Sequence, residues 1–152
     1  MKVGVLTNIL RDRSFDDALA YFSSIGYEMI TIGAGGLENL DEDHCDAKKL
    51  LANPDELKKF ADTVKKHNLE ISTIACPANT LHPQKAIAQS MDEDLRNCVL
   101  LAEKLGLDRI STFSGCPGDC ETATYPNWVT YGWPYDFAHI LEWQPGRGCR
   151  HC

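Results

Sequence analysis

The sequence has no apolar run approaching the ~20 consecutive residues of a membrane-spanning helix, and it has no excess of basic residues. Lys and Arg total 15 against 22 Asp and Glu, which gives a formal net charge of −7. Nucleic-acid binding is disfavoured, because phosphate contacts need concentrated basic side chains. The apolar start at residues 1–6 is short and turns polar at Thr7, unlike a secretory signal. These absences predict a cytoplasmic protein that binds neither a membrane nor nucleic acid.

The sequence also lacks an even number of cysteines, which a framework of disulfide bonds would normally use. The chain has seven cysteines in 152 residues, whereas a secreted disulfide framework uses an even number in a smaller chain. We therefore expect mostly reduced thiols. Hydrophobic residues at 43% and charged residues at 24% exclude wholesale disorder and indicate about one globular domain.

Short apolar runs alternate with amphipathic stripes along the chain. Helices are predicted to begin at Ser14, Asn53 and Ser90, where a capping residue precedes an apolar stripe, and a short fourth one at Trp133. The stripe of the third helix comprises Leu95, Cys98, Val99, Ala102 and Leu105. The strands are predicted at residues 2–7, 27–32, 69–75 and 107–113.

Strict alternation of strand and helix implies parallel strands joined by crossover helices. Similar phrases enter the later strands from Gly26, Asn68 and Gly106, at intervals of about 40 residues. This repetition favours a (β/α)₈ barrel over a doubly wound sheet. Because such a barrel needs ~250 residues, we predict an α/β fold that is a partial TIM-type barrel. It would have about four βα units with strand order 1-2-3-4, a half barrel.

Several phrases resemble the sugar phosphate isomerase/epimerase family, the xylose-isomerase-like barrels. They are Met-Lys-Val-Gly-Val-Leu-Thr from Met1, Asn-Thr-Leu-His-Pro from Asn79, Thr-Phe-Ser-Gly-Cys-Pro-Gly-Asp from Thr112 and Tyr-Pro-Asn-Trp from Tyr125. The resemblance covers residues 1–144. It implies a TIM-type barrel that binds a divalent metal (Mn, Mg, Co or Zn) and isomerises or epimerises a small sugar, sugar phosphate or polyol.

The chain departs from the family pattern in two respects. The family holds its metal mainly with Glu, Asp and His from the second half of the barrel, which has no counterpart here, and Ala78 replaces the usual Gly before Asn79. We therefore expect a truncated N-terminal half that holds no metal and has no activity alone. Residues 145–152 contain no aliphatic side chain and are predicted to be a disordered tail outside the family fold.

Candidate substrate-binding residues follow the predicted strands, because the active site of a TIM-type barrel lies at the carboxyl ends of its strands. A histidine there can bind a metal or a hydroxyl or move a proton, and an aromatic face suits a sugar ring. Turn formation and packing explain the same residue types equally well, and no catalytic residue is assigned. The candidates are Asn8, Asn79, His82, Ser114, Trp128 and Trp133.

Two alternatives remain open. Cys116 and Cys120, with Cys149 and Cys152, form a C-x₃-C and C-x₂-C set that could bind zinc tetrahedrally. The chain would then be a zinc-stabilised fragment, or else a non-catalytic sugar-binding one. Whichever alternative holds, a half barrel would expose an unpaired strand at each edge of its sheet, and such edges predict self-association.

Overall fold

The computed structural model describes residues 1–36 and 44–127. The predicted fourth helix at Trp133, the domain boundary at residue 144 and the tail at residues 145–152 lie outside the described residues, so they stay predictions.

The described residues form one sheet flanked by helices. The sheet is parallel throughout, in the order β1-β2-β3-β4. This confirms the predicted order, since a doubly wound sheet would place β1 between other strands. The elements are β1 (Gly4–Leu6), a 3₁₀ turn (Thr7–Leu10), α1 (Phe15–Ser24), β2 (Met29–Gly33), α2 (Ala47–Ala52), α3 (Pro54–Lys66), β3 (Glu70–Cys76), α4 (Lys85–Leu105) and β4 (Ile110–Thr112).

The caps that define α1 and α3 are the predicted ones. The Ser14 hydroxyl accepts the Asp17 N–H at 3.2 Å, and the Asn53 side chain accepts the N–H groups of the first turn of α3. Gly106 ends α4 in the left-handed conformation, and Asn68 adopts φ 55° after α3. These local signals therefore fix where the helices meet the next strands.

The prediction for α4 is wrong at its start and in one position of its stripe. The helix begins at Lys85 rather than Ser90, because the Gln84 carbonyl already accepts the N–H groups of Ile87 and Ala88, both at 3.1 Å. Ser90 thus lies inside the helix. Val99 is half exposed, and Leu101 is fully buried instead. The helix is rotated so that residues 98, 101 and 102 face the core.

Four other elements differ from expectation. Residues 47–52 form α2, a helix that the sequence pattern did not predict; it is started by Asp46, whose carboxylate accepts the Lys49 N–H at 3.0 Å. The polar Thr7 begins a 3₁₀ turn. The first and fourth strands are shorter than predicted, because strand geometry persists only where a neighbour pairs; β4 pairs with residues 74–76 alone.

Alternation along the strands divides the sheet into two faces. One face packs against the helices and forms the core, with Ile30, Ile32 and Ile74 fully buried. The opposite face corresponds to the interior of a barrel, and in the part of the chain that the structure describes it stays partly exposed. We call it the inner face; it includes Leu6, Met29, Thr31, Glu70, Thr73, Ala75, Ser111 and Phe113.

One irregularity interrupts this alternation. The register between β2 and β3 shifts after Ile30, so that Ile30 pairs with Ile71 while Thr31 pairs with Thr73. Ser72 is the extra residue of the bulge, and its hydroxyl donates to the Ile30 carbonyl at 2.9 Å. The bulge therefore satisfies a backbone acceptor that the ladder would otherwise serve.

Candidate functional site

A cleft lies where the carboxyl ends of the strands meet. Its volume is about 180 Å³, and its walls are mostly apolar. It occupies the position at which TIM-type barrels bind substrates. Its lining residues are Leu6, Gly33, Ala75, Pro77, Ser111, Thr112 and Phe113.

Asn8 lies against the wall of this cleft. Its side chain is so close to Gly33 that a Cβ added to Gly33 would stand 2.1 Å from Asn8 Oδ1. The Thr7 hydroxyl donates to the same oxygen at 3.4 Å, and Asn8 is 9% exposed. A glycine is therefore required at position 33 to leave room for the carboxamide beside the cleft.

Asn79 joins the loop after β3 to the loop after β4. Its Oδ1 accepts the N–H groups of Cys116 at 2.8 Å and Leu81 at 3.3 Å, and its Nδ2 donates to the Cys116 carbonyl at 3.0 Å. The side chain is fully buried. The geometry thus gives Asn79 a positioning role, in which its amide holds two rim loops together.

His82 follows Asn79 in the same turn. Its backbone N–H donates to the Asn79 carbonyl at 3.1 Å, and its Nδ1 accepts the Gln84 N–H at 3.0 Å. Because Nδ1 serves as an acceptor, the neutral ring carries its proton on Nε2. The ring is 4% exposed. The hydrogen bond from Gln84 and the burial therefore fix the orientation of the ring within the turn.

The remaining three candidate substrate-binding residues are Ser114, Trp128 and Trp133. Ser114 lies at the start of the loop after β4 and is exposed. Trp128 and Trp133 lie outside the described residues. The structure therefore brings Asn79 and His82 into one turn and Asn8 onto the cleft wall, all at the carboxyl end of the sheet, without showing a contact that joins the three.

The loop after β4 packs onto the turn that holds His82. Gly115 adopts φ 89°, and a Cβ there would stand 2.9 Å from Leu81 Cγ. Further along, Gln84 Nε2 donates to the Thr124 carbonyl at 3.0 Å. The Ser-Gly-Cys-Pro-Gly phrase is therefore matched in shape to the Asn-Thr-Leu-His-Pro phrase, although 37 residues separate Asn79 from its partner Cys116.

Two residues of α4 that were not predicted as part of the rim hold the turn after β2. Asp94 Oδ2 accepts the Gly36 N–H at 3.1 Å, and Cys98 Sγ donates to the Ala34 carbonyl at 2.9 Å. A hydrogen bond with Cys76, together with burial, raises the pKa of Cys98, so the thiol keeps the proton that it donates. In the sequence, the one indication of this pair is that Asp94 and Cys98 are four residues apart, which places them on the same side of a helix.

A divalent metal has no ready ligand set in the described residues. Residues 1–36 and 44–127 contain no group of three or more His, Cys, Asp or Glu side chains arranged to hold a metal. These described residues therefore do not fit a bound metal. Cys116 and Cys120 are free thiols, while Cys149 and Cys152 lie outside the described residues, so the zinc hypothesis stays a prediction.

Comparison with known proteins supports the fold. No family model matches the chain. The chain is 27% identical over 146 residues to an uncharacterized protein of Bacillus subtilis (strain 168), YfiH, in an alignment that covers 95% of this chain and 46% of YfiH. It also resembles the crystal structure of the probable 3-DHS dehydratase AsbF, involved in the petrobactin synthesis, from Bacillus anthracis. The TM-score is 0.50 at 22% identity, with 78% of this chain and 40% of AsbF covered.

The fold is that of half a TIM-type (β/α)₈ barrel. The chain spans about half the length of the relatives that it matches, which fits the prediction of an N-terminal half. Among residues 1–36 and 44–127, no helix combines the length and the apolar character that crossing a membrane requires.

Proposed function

We propose that this chain supplies half of the substrate-binding rim of a sugar-modifying enzyme. The reaction would be the metal-dependent isomerisation or epimerisation of a small sugar or sugar phosphate. The observation that carries the proposal is the cleft at the carboxyl ends of β1 to β4, in a half barrel.

The chemistry of the cleft suits such a ligand. Ala75 and Phe113 offer an apolar wall for the C–H face of a sugar, while the exposed hydroxyls of Ser111 and Thr112 offer hydrogen-bonding groups for its own hydroxyls. The proton transfer beside a carbonyl requires a carboxylate or another base. In this proposal that base and the metal ligands belong to the other half of the barrel.

Dehydration is the second candidate, because the structural relative from Bacillus anthracis is described as a probable dehydratase. Isomerisation, epimerisation and loss of water can share a first step, in which a base removes a proton from the carbon beside a carbonyl. The same rim would serve all three reactions, and the products distinguish them.

The proposal is tested by binding. Titration of the chain with D-xylulose and with D-fructose 6-phosphate, followed by amide chemical shifts, should move the signals of Gly33, Ala75 and Ser111. Ser111→Ala should weaken that binding by about tenfold, the effect of losing one hydrogen bond of about 1.4 kcal/mol.

Ser24→Ala is the matched control, because Ser24 ends α1 at the opposite end of the sheet. It should bind as the wild type does. Shifts confined to residues outside the cleft, or equal binding by both variants, would contradict the proposal. Binding of either sugar without turnover would leave a sugar-binding role for this chain.

A further inference from the structure

The turn after β2, residues 34–36, continues the side of the cleft that β2 and β3 form. It follows directly on Gly33, which lines the cleft. The Ala34 N–H donates to the Ala75 carbonyl at 2.9 Å, and Ala75 lines the cleft as well. The placement of this turn therefore bears on the shape of the cleft.

Gly36 brings the turn into close contact with a further lining residue. It adopts φ 79°, and a Cβ added to it would stand 2.7 Å from the Pro77 carbonyl oxygen. Pro77 itself lines the cleft. Because the backbone of the turn packs so tightly against Pro77, a displacement of Gly36 is passed on to that part of the cleft.

Side chains of α4 hold both ends of the turn. Cys98 Sγ donates to the Ala34 carbonyl at 2.9 Å, and Asp94 Oδ2 accepts the Gly36 N–H at 3.1 Å. Cys98 is buried in the core, whereas Asp94 is only partly buried. Asp94 can therefore be replaced with less disturbance of the packing. Its hydrogen bond needs an acceptor but no charge, since an amide oxygen accepts an N–H group as a carboxylate oxygen does.

We infer that Asp94 is a positioning residue of the cleft. It fixes Gly36, and through the contact of Gly36 with Pro77 it fixes one side of the space in which a ligand would bind. A ligand binds more tightly to a cleft whose sides are already in place, because the apparent affinity falls with the fraction of molecules that hold the binding arrangement. The inference rests on the proposed sugar-binding role of the cleft.

Titration with D-xylulose, followed by amide chemical shifts, compares the wild type with two variants of Asp94. Asp94→Ala keeps a strong helix former in α4 but removes the acceptor. It should raise the Kd by about tenfold, the result when about one molecule in ten holds the turn in place. Asp94→Asn keeps an oxygen for the Gly36 N–H, and its Kd should stay within about twofold of the wild type.

Asp92→Ala is the matched control on the same helix. It removes the ion pair with Arg96, whose atoms lie 2.7 Å apart on the exposed side of α4, and it should bind as the wild type does. Urea denaturation separates positioning from stability. A purely structural role of Asp94 would lower the denaturation midpoint of Asp94→Ala and leave the Kd unchanged under conditions in which every variant is folded.

Hydrogen exchange tests the positioning without a ligand. The Ala34 amide bonds to Ala75 and not to Asp94, so it reports on the whole turn. Its exchange should accelerate by about tenfold or more in Asp94→Ala and not in Asp94→Asn. If the wild type binds no sugar, the proposed function fails, and the Ala34 exchange decides the positioning role by itself. Unchanged Ala34 exchange, an unchanged Kd for Asp94→Ala, or an equal loss of binding in Asp94→Asn would overturn the inference.

Discussion

Replacing Asn79 with alanine removes the connection between two rim loops. Three hydrogen bonds disappear, two to Cys116 and one to Leu81. At a net ~1 kcal/mol each, the loss is about 3 kcal/mol. Some recovery is expected, because Cys116 is only partly buried and water can reach its backbone. We therefore expect Asn79→Ala to lower the free energy of unfolding by about 2–3 kcal/mol.

Urea denaturation followed by circular dichroism measures that change, and hydrogen exchange at the Cys116 amide localises it. Exchange there should accelerate by about tenfold or more. Asn53→Ala is the matched control: it removes an exposed asparagine cap and should cost about 1 kcal/mol without altering the Cys116 amide. An Asn79→Ala variant with the wild-type midpoint and unchanged Cys116 exchange would refute the reasoning.

Two further predictions concern other parts of the molecule. Gly33→Ala should destabilise the fold by about 1–3 kcal/mol through overpacking against Asn8, and the double variant with Asn8→Ala should recover most of that loss; equal denaturation midpoints for the single and double variants would contradict this. Hydrogen bonds from Lys66, then His67, hold the pKa of Asp16 below its ordinary 3.8. The stabilisation is therefore present above the unfolded pKa and lost as the pH falls through the folded one. Asp16→Asn should accordingly unfold at lower urea than the wild type at neutral pH but at the same urea well below pH 3.8; a difference independent of pH would show that the carboxylate charge is not the cause.

The sequence was informative where the determinants are local. The caps at Ser14 and Asn53 and the left-handed Gly106 depend on neighbours within a few residues, and strict alternation of elements then implied the parallel order. The start of α4 was misjudged because Ser90-Met91-Asp92-Glu93 has the pattern of a capping box, although the preceding turn already begins the helix at Lys85.

The rim was predictable as a region but not as a set of contacts. The sequence predicts Asn79 as a substrate-binding residue, but its carboxamide already forms hydrogen bonds with the backbone of Cys116. Because Cys116 lies 37 residues further along the chain, no local sequence pattern shows this. The same holds for Asp94, whose bond to Gly36 exists only because α4 crosses the end of β2. Long-range contacts of this kind depend on tertiary packing.

The bulge at Ser72 bears on how this chain tolerates changes of length. Deleting one residue from a regular strand moves every following side chain to the other face. In β3 the residue after Ile71 is already an extra one: without Ser72, Thr73 would follow Ile71 directly and still pair with Thr31. A single-codon deletion at position 72 therefore keeps Ile71 and Ile74 on the core face and removes the two hydrogen bonds of the Ser72 hydroxyl, to the Ile30 carbonyl and to Thr31 Oγ1. The same deletion at position 74 would move the residues that follow to the opposite face. Among variants of this sequence, differences in the length of β3 should accordingly accumulate at position 72.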